Sequence, residues 1–146
     1  MISIDVEIID NSLAIEPDKV KNLANSVISQ SEIQEGDLTI IFAQEELLRE
    51  MKKNFFSEDV YTDVIAFQLN EKNERFEGEI YISPIIASEN AKKFGQTVSN
   101  ELARLICHGC LHLVGYKDNT ESEKLNMRSE EDRFLKKFSF EEILKT

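Results

Sequence analysis

His108 and His112 are the only two histidines in this 146-residue chain, and they stand four residues apart in the segment Cys107-His-Gly-Cys-Leu-His-Leu113. At 3.6 residues per turn, four residues advance about 400°, so a helix here sets both imidazoles on one face, about 40° apart and one turn above the other. That geometry suits a single metal ion. Gly115 follows His112 by three residues and Asp118 follows by six, which completes His-x3-His-x2-Gly-x2-Asp. Glycine can take the left-handed conformation that ends a helix and turns the chain back, so a side chain three residues later can face the ion from the non-helical side. His108, His112 and Asp118 then make three ligands of a tetrahedral zinc site, one ion per chain, with a fourth position open to the water that would react. A plainer reading stands beside this one. In it the histidines are core residues bonded to backbone, and Asp118 belongs to the helix entry Lys117-Asp-Asn-Thr-Glu121.

The neighbours narrow the chemistry. The same spacing of ligands occurs in helix-turn zinc proteases, whose general base is a glutamate directly after the first histidine; here that position is Gly109. Two histidines and a carboxylate are also the ligand set of non-haem iron oxygenases, but no cosubstrate motif accompanies them. Cys107 and Cys110 have the spacing of a redox pair. Active thiols of that kind sit at a helix N-terminus, whereas these fall deep inside one, which predicts small buried apolar side chains. They also project from a different sector than the histidines, so one ion cannot readily collect all four.

The elements that carry these residues follow from periodicity. Ile2, Ile4, Val6 and Ile8 alternate with Ser3, Asp5 and Glu7, which predicts a half-buried strand over 2–9. Pro17 suits a first helical turn, and Val20, Leu23, Ala24, Val27 and Ile28 follow at helical spacing. Gly36 breaks the chain before a second strand at 38–43, and residues 44–53 predict a helix with Leu47, Leu48 and Met51 inward. Residues 64–69 and 79–83 read as strands joined by a polar loop over 70–78. Ser83-Pro84 opens a helix that Gly95 closes. The helix over about 98–114 is apolar around much of its circumference and is placed centrally; a last one, about 120–137, carries a narrower stripe of Leu125, Met127, Phe134, Leu135 and Phe138. Four strands interleaved with helices predict an α/β or α+β domain: one mixed sheet packed with helices, and the metal-binding histidines on the central helix.

Composition sets the outer bounds. With 41% hydrophobic and 31% charged residues the chain is an ordinary globular one. Its net charge of −11 opposes non-specific attraction to nucleic acid or anionic lipid, so a polyanionic partner has to be held by local features. Arg49, Lys52, Lys53, Lys92, Lys93 and Lys117, with Phe55 or Phe56 as a stacking surface, could make such a track, although spread charges are more often solvated faces. Glu121, Glu123, Glu130, Glu131 and Asp132 read as plain surface. No apolar run is long enough to span a membrane, no secretory signal opens the chain, and two cysteines make no disulfide framework; a cytoplasmic location with reduced thiols is the simplest expectation.

The block His108-Gly-x-Leu-His112-Leu-x-Gly-Tyr116, followed by Glu123, Met127 and Glu131, resembles the signature of the bacterial YbeY family of metal-dependent single-strand endoribonucleases. Thr62-Asp-Val-Ile-Ala-Phe67 and Gly78-Glu-Ile-Tyr-Ile82 resemble its two upstream blocks in order and approximate distance, so the likeness runs from about residue 40 to 138. The resemblance implies a single domain over residues 1–146, a zinc ion and no organic cofactor. It also implies trimming of the 3′ end of small-subunit ribosomal RNA and ribosome quality control, with ribosomal RNA and the ribosome or its proteins as partners. Two positions depart from the family. Asp118 stands where its third ligand is usually a histidine, and Phe56 where it commonly carries an arginine. Arg104, one turn before His108 on the same face, is a candidate substitute for phosphate binding, with a surface ion pair as its alternative. The sequence therefore predicts a zinc-dependent endoribonuclease. An assembly factor with a structural metal and a metalloprotease-like hydrolase are its rivals.

Overall fold

A computed structural model describes residues 1–137 and 142–145. The described chain runs β1 (Ile2–Ile8), α1 (Pro17–Ile28), β2 (Gly36–Phe42), α2 (Glu45–Phe56), β3 (Val64–Gln68), β4 (Phe76–Ile82), α3 (Pro84–Phe94), α4 (Val98–Leu113) and α5 (Glu121–Lys137). The four strands form one sheet in the order β1-β2-β4-β3. β1 pairs with β2 and β2 with β4 in parallel, while β3 returns antiparallel to β4. The expected mixed sheet of an α+β fold is thus observed. No helix among the described residues is long and apolar enough to cross a membrane.

The two faces of the sheet differ. One carries Leu38, Ile40 and Phe42 of β2 with Phe76, Ile80 and Ile82 of β4, all buried in one core with side chains of α1, α4 and α5. The other buries a smaller cluster, Ile41, Ala43, Leu48 and Ile65, beneath α2. α4 crosses the first face so closely that it needs a glycine. A Cβ on Gly109 would lie 2.8 Å from Cγ2 and 2.9 Å from Cδ1 of Ile80, so position 109 faces the sheet and has no room for a side chain.

Local signals set several boundaries as expected. Pro17 opens α1. The Ser83 hydroxyl accepts from the Ile86 N–H, Pro84 follows at the first helical position, and Gly95 closes α3 at φ 67°. Other expectations are corrected. β4 starts at Phe76 rather than 79, because buried Phe76 pairs opposite Gly36, which is itself the first residue of β2. Leu47 is exposed, since α2 turns Leu48 and half-buried Met51 toward the sheet and leaves Leu47 outside. Leu125 of α5 is exposed as well, leaving Met127 and Phe134 as the buried apolar residues of that helix; Phe138 lies outside the described residues.

Candidate metal centre and groove

α4 sets His108 and His112 on one face with ring centroids 4.7 Å apart. The helix ends at Leu113, and Gly115 takes φ 111° while the Tyr116 N–H reaches back to the Leu111 carbonyl at 2.9 Å. This 6→1 bond is the Schellman turn that a positive-φ glycine permits. It brings Asp118 back over the helix. Asp118 Oδ2 lies 3.2 Å from His112 Nε2 and 3.5 Å from His108 Nε2, and one ligand atom from each of the three residues falls within 4.8 Å of the others. Donors about 2.1 Å from a tetrahedral zinc are about 3.4 Å apart, so the two Asp118–histidine separations match such an ion.

The alternative role of Asp118 as a helix cap falls to another residue. Thr120 Oγ1 accepts from the Glu123 N–H at 3.1 Å, and Glu123 Oε1 accepts from the N–H groups of Thr120 and Asn119. This reciprocal capping box starts α5, fixes the loop and leaves the Asp118 carboxylate free for the histidines. Glu123 is therefore a half-buried structural residue, not plain surface.

Glu131 departs further from its surface reading. It is 5% exposed, and its Oε2 accepts from His108 Nδ1 at 2.7 Å while its Oε1 accepts from Arg104 Nη1 at 2.9 Å. A proton on Nδ1 leaves the lone pair of His108 on Nε2, the atom that faces Asp118. Burial disfavours the charged imidazolium, but the Glu131 bond and the charges of Glu131, Asp118 and Asp63 outweigh it and raise the His108 pKa. Arg104 stands one turn before His108 as expected. Its guanidinium is engaged by Glu131 and, at 2.7 Å, by Asp132.

Two hollows of about 650 and 570 Å³ meet at this centre, sharing Asp63, Val64, His108 and Asp118 as common wall. The first extends past Arg104, Glu131, Glu101, Lys124 and Arg128 to Phe94. Glu101 is 5% exposed; burial and the like charge of Asp63 push its pKa up, against the opposing pull of Arg104 and Arg128. The second hollow runs past His112 to Lys52 and Phe56.

Of the predicted basic track, Lys52 and Phe56 line the groove, with Lys52 Nζ 5.0 Å from the ring centroid. Arg49 instead pairs with Asp59 at 2.7 Å, and Phe55 packs edge-on against Phe67. Lys92 and Lys93 close the last turn of α3. Cys107 and Cys110 are buried away from the centre, and burial pushes the Cys107 thiol up to about 12. Glu101, Lys124 and Arg128 had no signal in the sequence beyond their charge, because what gathers them is the packing of α4 against α5.

The family model described as "Endoribonuclease YbeY" matches residues 5–139. The endoribonuclease YbeY of Cytophaga hutchinsonii is 38% identical over 117 residues, spanning 80% of this chain and 82% of the relative. That of Flavobacterium psychrophilum is 39% identical over 117 residues, 80% of this chain and 83% of the relative. A solution structure from Thermotoga maritima superposes with a TM-score of 0.61 at 28% identity, covering 95% of this chain and 92% of that one. With the histidine block, the upstream blocks and the fold in agreement, the chain belongs to the YbeY endoribonuclease family.

Proposed function

We propose that this protein is a zinc-dependent endoribonuclease of the cytoplasm that cleaves single-stranded ribosomal RNA. Its place would be the maturation of the small-subunit 3′ end and ribosome quality control, with the ribosome or its proteins as partners. The observation that carries the reading is the convergence of His108 Nε2, His112 Nε2 and Asp118 Oδ2 where two solvent-open hollows meet. Three protein donors leave a coordination position for substrate or water, whereas a structural zinc is normally closed by four. When bound, the ion supplies Lewis-acid polarisation of a phosphodiester oxygen and an acidified water.

The chain's own residues do the rest. Glu131 holds the His108 ring by Nδ1, and the Gly115 turn with the Thr120–Glu123 box holds Asp118 over it. Arg104 is placed to meet a phosphate by releasing exposed Asp132 while keeping buried Glu131. Lys52 lies on the opposite side of the centre. These cations act locally against a net charge of −11. Peptide hydrolysis is disfavoured, because position 109 is pressed onto Ile80 and has no room for the glutamate that zinc proteases use there. The test is cleavage of single-stranded RNA by the metal-loaded protein, its loss on chelation and in His108→Ala, and its return when metal is restored. Cleavage that survives in metal-free His108→Ala would overturn the assignment.

A further inference from the structure

Glu101 is the one strongly buried carboxylate of the groove with no task in the metal centre. It is 5% exposed and walls the hollow of about 650 Å³. Glu131 bonds His108 and Arg104, and Asp63 accepts from Asn90 Nδ2 at 3.0 Å. Among the described residues, no hydrogen bond or ion pair reaches the Glu101 carboxylate. Its oxygens are not among the sealed, unpartnered ones, so within the hollow they stay open to whatever enters. A group that enters the hollow with paired N–H donors finds two uncommitted acceptors there.

The surroundings select among donors. Glu101 precedes His108 by seven residues on α4, which is nearly two turns and places it about 20° from His108 around the helix and about 10 Å along it. A strand with one phosphate at the metal centre can therefore lay an adjoining base over Glu101. Arg128 stands exposed on the same wall without an ion pair among the described residues, and Phe94, 59% exposed, offers an apolar surface. Two arginines beside Glu101 make the place a poor one for a second cation. An RNA base fits instead, because unpaired bases are read by hydrogen bonds on their edges and by stacking on aromatic side chains.

We infer that this end of the groove takes the Watson–Crick edge of an unpaired guanine, with Glu101 accepting from N1–H and the 2-amino group and Arg128 donating to O6. Guanine alone among the four bases offers two adjacent donors, which match the two acceptor oxygens of one carboxylate. Adenine and cytosine set a ring acceptor beside their single amino group, and uracil flanks its one N–H with carbonyls. The inference rests on the endoribonuclease reading and adds base preference to it.

The experiment measures binding of the metal-loaded protein to fluorescent uridine nonamers with guanosine, inosine or adenosine at the centre, by anisotropy before appreciable cleavage. Guanosine is expected to bind about tenfold tighter than adenosine. Inosine, which lacks only the 2-amino group, should fall between them. Glu101→Gln should erase the guanosine preference, since its amide replaces one acceptor with a donor. The inosine comparison uses the unaltered protein and so does not depend on the variant folding. Equal binding of all three oligomers overturns the guanine inference and leaves the nuclease reading standing. Failure to bind any of them overturns both.

Discussion

Glu131 Oε2 accepts a 2.7 Å hydrogen bond from His108 Nδ1, across 23 residues of sequence and from one helix to the next. The bond sets which imidazole nitrogen faces Asp118. Outer partners of metal-ligating histidines commonly contribute 10–100-fold in affinity, so Glu131→Ala should weaken zinc binding by about that factor. Glu131→Gln should lose less, because its amide oxygen can still accept. Competition against a chromophoric chelator measures both, and Glu131→Ala binding as tightly as the parent would show that the bond does not orient the ligand.

Asp118 bridges toward both histidines through one oxygen. Asp118→Ala should leave two protein donors and a sharp loss of bound metal, read by elemental analysis after dialysis. Asp118→His should retain zinc. Because imidazole is a softer donor than carboxylate, it should also raise the preference for zinc over manganese. An unchanged zinc-to-manganese affinity ratio would place the third donor elsewhere.

Gly109→Ala tests the contact between α4 and the sheet. The added methyl meets two carbons of fully buried Ile80 below 3.0 Å, and overpacking of this kind costs about 1–3 kcal/mol. A fall of several degrees in Tm is expected for a domain of this size. Gly109→Glu, which would restore the protease-like pattern on paper, should destabilise the protein further without creating peptide hydrolysis. Thermal denaturation of the two variants decides the matter.

The thiols of Cys107 and Cys110 should stay protonated through the neutral range, since burial pushes Cys107 up to about 12 and Cys110 well above its ordinary value. Iodoacetamide should label both slowly in the native protein between pH 7 and 9 and rapidly in denaturant. The sign for stability follows from the unfolded thiol, whose ordinary value is 9.0. Above that pH the unfolded chain loses a proton that the folded one keeps, so stability should fall as pH rises from 9 toward 12. Rapid native labelling at pH 8 would contradict the burial.

The grouping of His108, His112 and Asp118 was legible because all three lie within a single helix and its terminating turn, where spacing alone fixes geometry. The same holds for the ends of α3, whose Ser83 and Gly95 act on their own backbone. Glu131 was illegible for the opposite reason. In sequence it is one acid in a charged run, and only the packing of α5 on α4 buries it against His108 and Arg104. Leu47 and Leu125 failed similarly: helical periodicity names the apolar positions of α2 and α5 but not how much of each face finds a neighbour. The site reading for Arg104 placed it on the correct face and could not see the two carboxylates that hold it.

The parallel pairing of β1 with β2, and of β2 with β4, sets the order in which this molecule can be made. Ile2 waits for Gly36, and Gly36 waits for Phe76, so the sheet closes through contacts distant along the chain, a topology that folds slowly. During synthesis from the N-terminus, α4 leaves the ribosome only after every strand it must cover, and the carboxylate that orients His108 follows on α5. An ion that reached the two histidines early would meet them before Asp118 and Glu131 had arrived. The finished grouping of His108, His112 and Asp118 is therefore among the last features to form on the nascent chain, after the hydrophobic framework on which it depends.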